Sequence, residues 1–471
     1  MASIPIIQGR VLKLVNVVAL LLLLLNLVEC RDVVSLKSDK HTSHCRKHKA
    51  SLADFGGVND GKTSNTKAFK AAIDQLGKLA SDGGSMLIVP PGKWLTGSFN
   101  LTSHFTLYIH KDAVLLGSQD EKEWPLIPVL PSYGRGRDAP GNGFRYQSLI
   151  FGTNLTDLVI TGSNGTIDGQ GATWWDKLQK DELNFTRPYL IEIMYSNDIQ
   201  IFNLTLLNSP NWNVHPVYSR NIFIQGLTIR APTDPISPNT DGINPDSCTN
   251  VRIEDCFIVS GDDCVAIKSG WDQYGIAFGM PTKHVIIRRL TCISPESAVI
   301  ALGSEMSGGI RDVRAEDITA INTESGVRIK SAPGRGGYVK NIFVRKMNMH
   351  TMKYVFWMTG AYGQHADDHY DPNALPEVSD INYSDMVGEN VTLGGNLGGL
   401  NKRPFKDICM SNVTILAHDP KKSQWNCTDV SGVSSQVSPK PCSLFKEQPI
   451  KCAFPTKRLP IEDVKLKVCT P

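Results

Sequence analysis

Six segments of this chain share one pattern: an Asn, Asp or His, then an apolar residue, any residue, and a second apolar residue. They are Asp198-Ile199-Gln200-Ile201, Asn221-Ile222-Phe223-Ile224, Asn250-Val251-Arg252-Ile253, His284-Val285-Ile286-Ile287, Asp312-Val313-Arg314-Ala315 and Asn341-Ile342-Phe343-Val344. Their starts lie 23, 29, 34, 28 and 29 residues apart. Period-two alternation inside each unit predicts strands, and the loose period between units predicts a solenoid with loops of varying length. Each unit can bury its apolar side only against its neighbours, so the fold class is all-β and the architecture a right-handed parallel β-helix. A β-sandwich, the alternative, needs tight hairpin signals of the Asn-Gly type between units, and these are mostly absent.

A solenoid exposes strand edges at its ends, which need covers. Ser64-Asn65-Thr66 followed by Ala68, Phe69, Ala72, Ile73 and Leu76 reads as an N-capped amphipathic helix that closes the first coil. Beyond about Ala417 the alternation fades into Pro, Ser and Lys, with Cys427, Cys442, Cys452 and Cys469 supplying covalent ties. The organisation read from this is a β-helix over 51–417 and a disulfide-pinned tail with little core of its own over 418–471.

Residues 1–30 read as a signal peptide. Arg10 and Lys13 precede an apolar run from Leu14 to Val28, and Val28-Glu29-Cys30 offers a cleavage site. The run is shorter than the roughly 20 residues a bilayer-spanning helix needs, although an uncleaved anchor is the alternative. An extension over 31–50 follows. Cleavage leaves ten of the 11 cysteines, an even number that suits an oxidising compartment. Nine Asn-x-Ser/Thr acceptors, at Asn100, Asn154, Asn164, Asn184, Asn203, Asn382, Asn390, Asn412 and Asn426, add to a secreted, extracellular reading. The formal net charge of +3 falls to +2 without Arg10, Lys13 and Glu29. A balance so near neutral argues neither for nucleic acid nor for a membrane surface as partner, and attraction to an acidic polymer must be local.

The stretch Asn239 to Gly270 holds three carboxylates in two turn-like settings, Asn239-Thr240-Asp241-Gly242 and Gly261-Asp262-Asp263-Cys264, joined by an alternating apolar run. Asp262 follows Asp241 by 21 residues, about one coil, so the groups fall on neighbouring coils roughly 4.8 Å apart. Crowded carboxylates raise one another's proton affinity and can supply an acid and a base together, as glycoside hydrolysis needs. A structural turn or a calcium site fits the same residue types equally well. Asp262 and Asp263 are neighbours, so both can serve only if the backbone bends, and Gly261 supplies that freedom.

Arg328 and Lys330 lie two apart on an expected strand and share a face, where two cations can hold the carboxylates of an acidic sugar polymer or simply meet solvent. Trp212-Asn213-Val214-His215 precedes Asn239 by about a coil; Trp212 reads either as a sugar platform or as core, and His215 as a residue lining the cleft.

Asn239-Thr240-Asp241, Gly261-Asp262-Asp263 and Arg328-Ile329-Lys330, in this order, resemble the signature of the polygalacturonase family, glycoside hydrolase family 28, and the resemblance runs from about Leu52 to about Ile415. It implies an inverting hydrolase of α-1,4-galacturonosyl linkages in pectin, with Asp262 the general acid, Asp241 and Asp263 holding and deprotonating water, and Asn239, Arg328 and Lys330 binding substrate. No metal or cofactor is implied, and the partner is an acidic cell-wall polysaccharide met by a monomer. The resemblance also implies a disulfide between Cys264 and Cys292. The chain departs from the family at its Gly-His-Gly, where Pro295-Glu296-Ser297-Ala298-Val299 puts Ser297 or Ala298 at the histidine position. Hydrolysis of rhamnogalacturonan or a substituted galacturonan, or pectin binding without catalysis, are therefore alternatives, and a calcium-dependent lyase is disfavoured by the motif set. Gly303-Ser304-Glu305 and Arg328 to Gly337 look more like the exo-acting members, with 232–238 and 271–281 as expected cleft walls.

Overall fold

The computed structural model describes residues 46–138, 143–421 and 424–469. The expected signal peptide and most of the 31–50 extension lie outside the described residues. Among the described residues no helix is long and apolar enough to cross a membrane.

The chain winds as a right-handed parallel β-helix. Ile199, Ile222, Val251, Val285, Val313, Ile342, Ile381 and Ile408 pair in register, one per coil, and all eight are fully buried. This ladder is the apolar position of the repeated segments, continued by two coils, Asp380-Ile381 and Asp407-Ile408, that fit the same pattern. The polar residue opening each segment has a conformational cause. Asp198, Asn221, Asn250, His284, Asp312 and Asn341 all have φ between 51° and 59°, and Asp380 and Asp407 have 54° and 55°. Each coil thus turns a left-handed corner into its strand, and Asn, Asp and His are the non-glycine residues that tolerate it best. The corners also bond between coils, as where Asn250 Nδ2 donates to Asn221 Oδ1 at 3.0 Å.

All named strand pairings are parallel except Leu126–Pro128 with Phe144–Tyr146, which rules out the sandwich. The helix Thr66–Leu79 buries Ala68, Phe69, Ala72, Ile73 and Leu76, the expected face, and stacks Phe69 on Phe99 with ring centroids 4.3 Å apart. Its Asn65 makes no side-chain cap. Instead, the Asn65 amide bonds the backbone of Val58, Thr63 and Leu95, tying the loop before the helix to a strand behind it.

The carboxyl-terminal region, expected over 418–471 as a disulfide-pinned tail with little core of its own, carries strands. Trp425–Thr428, Val430–Ser438 and Phe445–Glu447 add further parallel pairing, and Val430 and Phe445 join the main core. The disulfides there are Cys427–Cys442 and Cys409–Cys452. The remaining residues run back along the outside of the coils. Arg314 donates to the Lys457 carbonyl at 2.6 Å, Arg252 to that of Ile461 at 2.7 Å and Gln200 to that of Lys465 at 2.9 Å, so the segment straps coils that are distant in sequence.

A second face of the helix carries the site. Ile191, Val214, Ile243, Val265, Ile300 and Val327 lie in register there, which stacks the turns ahead of them on successive coils.

Candidate active site

Asp241 and Asp263 sit just before Ile243 and Val265, the bridged residues of two successive coils. Thr240 Oγ1 accepts from the Gly261 N–H at 3.0 Å and locks the two turns together. A Cβ at Gly261 would lie 2.0 Å from the Ser237 carbonyl oxygen. Glycine is thus needed for close approach of two backbones, rather than for the freedom to bend that the sequence suggested. The Asp262 carbonyl is held by the Ser260 and Ser294 hydroxyls at 2.5 and 2.7 Å, and Asp262 Oδ1 accepts from the Asp263 N–H at 2.8 Å. One oxygen from each of Asp241, Asp262 and Asp263 falls in a group no wider than 4.8 Å.

The three carboxylates have different surroundings. Asp241 is buried; its Oδ2 accepts from Asn244 Nδ2 at 3.0 Å, and its Oδ1 has no hydrogen-bond partner among the described residues. Burial, followed by the charge of Asp262, pushes the Asp241 carboxyl up to about 7. Asp263 is buried as well, which by itself disfavours its charge, but Lys330 and the Ser297 hydroxyl hold it below the usual carboxylate range. Lys330 Nζ donates to Asp263 Oδ2 at 2.6 Å. Asp262 is only half-buried and is the member of the group that faces the opening. Asp241 and Asp263 are both sealed from water, but Asp263 has Lys330 Nζ at 2.6 Å whereas Lys268 Nζ stands 3.9 Å from Asp241, so crowding and burial drive up Asp241.

A cavity of about 210 Å³ opens onto these groups. Arg328 and Lys330 both line it, but they differ. Lys330 is buried and committed to Asp263, so it is an internal counter-ion rather than a free cation for substrate. Arg328 lies 3.6 Å over the Trp357 ring, 3.4 Å from Glu324, with its guanidinium on the cavity wall. Asn239 also lines the cavity; its Oδ1 accepts from the buried Arg187 at 2.7 Å and its Nδ2 faces Asp262 Oδ2 at 3.4 Å. Trp212 reaches the cavity but stacks one face on Tyr189, 4.8 Å away, while Lys268 Nζ lies 4.5 Å from the ring. It is core aromatic rather than sugar platform.

His215 does not reach the cleft. It is fully buried, with Nδ1 2.9 Å from Glu192 and Nε2 3.5 Å from Asp246. Burial opposes its charge, yet these two acids raise its proton affinity. Arg145 completes this internal network on Glu192 at 2.8 Å.

The site also takes in residues beyond the acidic and basic motifs. Lys268 Nζ lies 2.9 Å from Glu305 and 3.9 Å from Asp241, and burial brings its ammonium down to about 8. Arg137 pairs with Glu305. Tyr362 and Gln364 close the far side. The walls thus come from the loops around 137 and 362 rather than from 232–238 and 271–281. Residues of the latter act from behind: Arg335 is ion-paired to Asp272, the Ala366 N–H donates to Asp272 at 2.9 Å, and Tyr274 OH donates to Asp367 at 2.7 Å. Ser297 hydroxyl oxygen lies 2.9 Å from Asp262 Oδ1 and 2.5 Å from Asp263 Oδ1. Cys264 and Cys292 form a disulfide behind the acidic turn.

Residues 139–440 match the family described as Glycosyl hydrolases family 28. A probable polygalacturonase from Vitis vinifera is 64% identical over 474 residues, spanning 99% of this chain and 96% of that protein. Among solved structures, an exopolygalacturonase from Thermotoga maritima aligns at 27% identity with a TM-score of 0.67, over 79% of this chain and 88% of its own. The polygalacturonase of Erwinia carotovora aligns at 25% identity with a TM-score of 0.64, over 84% and 99%.

Proposed function

Because the chain belongs to glycosyl hydrolase family 28 and is thus a glycoside hydrolase, we propose that it cleaves α-1,4-galacturonosyl linkages of polygalacturonan by inversion, working from a chain end. The observation that carries this reading is one cavity in which three carboxylates within 4.8 Å stand beside the guanidinium groups of Arg137 and Arg328. The acids supply proton transfer, and the cations favour a sugar that is itself a carboxylate.

In this reading Asp262, the most open of the three, protonates the leaving glycosidic oxygen. Water held by Asp241 and Asp263 attacks the anomeric carbon from the other side and gives up its proton to the ionised Asp263. Arg328, flat on Trp357, and Asn239 hold the sugar, and Lys330 keeps Asp263 ionised. A cavity of about 210 Å³ bounded by Arg137, Glu305, Tyr362 and Gln364 suits a terminal unit better than a threaded chain, which supports exo action. The wall loops are cross-tied, with Arg135 donating to the Ala366 carbonyl at 2.6 Å. The partner is acidic pectic polysaccharide, and the secretory leader, the cysteines and the acceptor asparagines support an extracellular protein of the cell wall. Eight of the nine acceptor asparagines are exposed, and Asn382 is half-buried. The protein acts as a monomer.

Digestion of unesterified polygalacturonate and of rhamnogalacturonan side by side, with products sized by chromatography, tests this. Monogalacturonate released from the first polymer alone is expected. Cleavage confined to the second, an unsaturated product absorbing in the ultraviolet, or binding without any release at about pH 4–7 overturns it.

A further inference from the structure

Ser297 Oγ stands between two carboxylates, 2.5 Å from Asp263 Oδ1 and 2.9 Å from Asp262 Oδ1. A serine hydroxyl carries a single proton. With one proton for two acceptors, the hydroxyl either shares it in a three-centre bond or donates to one carboxylate while accepting from the other carboxyl group in its protonated form. Asp263 also accepts from the Ala298 N–H at 3.1 Å and from Lys330 at 2.6 Å, and these donors favour its ionised form. With Asp262 carrying the acid's proton, as proposed above, the arrangement reads as a chain: Asp262 donates to Ser297, and Ser297 donates to Asp263. Ser297 is 3% exposed, so the hydroxyl itself is held inside the protein between the two acids.

We infer that Ser297 is a positioning residue that returns a proton from Asp263 to Asp262 after each turnover. The inference rests on the assignment of acid and base above. In the hydrolytic step the proton of Asp262 goes to the leaving oxygen as the glycosidic C–O bond breaks, and a new C–O bond forms to water, whose proton passes to Asp263. The products leave with Asp263 protonated and Asp262 ionised. Asp263 then gives its proton to Ser297 Oγ while Ser297 gives its own to Asp262 Oδ1. Serine ends as it began, and no further reactant is required. Lys330 and the Ala298 N–H favour the ionised form of Asp263, which drives the proton off Asp263 toward Ser297.

The test compares Ser297→Ala and Ser297→Thr with the wild-type chain, all glycosylated, on polygalacturonate in mixtures of light and heavy water. The alanine variant is expected to lose about a hundredfold or more in kcat, the lower end of the range for a proton-transfer group, with KM within about twofold. The wild-type rate is expected to bow with deuterium fraction, as two protons moving together require, and the alanine variant to respond linearly. Threonine is expected to restore both. If the alanine variant does not fold, Ser297→Cys, nearly isosteric and a weaker donor, replaces it with the same two readings. Unchanged kcat, or a bowed response that survives loss of the hydroxyl, overturns the relay. Asp262→Asn, run in parallel, separates the two readings: if it retains hydrolysis, the acid assignment itself has failed, whatever Ser297 does.

Discussion

Lys330 Nζ meets Asp263 Oδ2 at 2.6 Å from a strand two coils further along the helix. Both side chains are buried, so the pair is an internal fixture of the site. Removing one partner of such a pair leaves a sealed, uncompensated charge. Lys330→Met is expected to lower stability by about 3–5 kcal/mol, measured by denaturant unfolding, and to reduce kcat at least as strongly as it raises KM. A variant with native stability and a purely raised KM is the outcome that sinks this account and returns Lys330 to the substrate-binding role its sequence position suggested.

The proton affinity of Asp241 makes a separate prediction about pH. Its native carboxyl titrates near 7, against about 4 in an unfolded chain. Between these values the native state binds the extra proton, so this group's contribution to stability is present below about pH 4 and is lost as pH rises through about 7. Asp263 has the opposite sign, since its affinity is lowered on folding; its contribution is present above about pH 4 and is lost below it. The windows do not overlap. Asp241→Asn is expected to flatten the decline of stability between about pH 4 and about 7 while leaving the acid limb in place, as followed by thermal melts across pH. An unaltered slope in that interval counts against a buried, protonated Asp241.

Cys264 and Cys292 close a loop with a separation of 28 residues behind the acidic turn, and both are fully buried. Replacing both with Ala is expected to cost about 2–4 kcal/mol on the loop-entropy scale. Asp263 adjoins Cys264, so kcat should fall more than unfolding at the assay temperature explains. Equal unfolding midpoints for the variant and the oxidised wild type would remove the prediction.

Much of the fold was legible because a β-helix repeats its physics once per coil. The apolar alternation predicted the strands, and the residue opening each segment was a left-handed corner in every case. Asp380 and Asp407 carry the same signature but break the period, because the interval before Asp380 is 39 residues, longer than those around it. The acidic group was legible for the same reason, since one coil of spacing brings Asp241 to Asp262 and Asp263. Arg137 and Tyr362 were not, because they come from loops whose lengths differ coil by coil and no period links them. His215 failed in another way. Alternation tells which face a side chain takes and says nothing of how deeply that face is covered, and here the Glu192 and Asp246 pair shows it to be interior.

The last prediction concerns stereochemistry. Carboxylates within 4.8 Å are closer than the roughly 6.5–9.5 Å that inverting pairs usually keep, and near the 5–5.5 Å of retaining pairs. Two groups at this distance would read as an acid and a nucleophile. A third carboxylate changes the reading. Asp263 is tied by Lys330, Ser297 and Ala298, leaving it poorly placed to attack carbon. Asp241 presents one buried oxygen with no hydrogen-bond partner among the described residues, which suits holding a water beside Asp263. Inversion follows if water rather than a carboxylate attacks, and the first product should then be the β anomer from an α linkage. Proton NMR at early times, before mutarotation, reads this directly. Asp262→Asn keeps the size of the side chain and removes its acidic proton, so it should abolish release while oligogalacturonate binding stays within about threefold, because only interactions made in the transition state are lost. Appearance of the α anomer first, or a covalent sugar adduct trapped on Asp241, would establish retention and overturn the water-holding role given to Asp241 and Asp263.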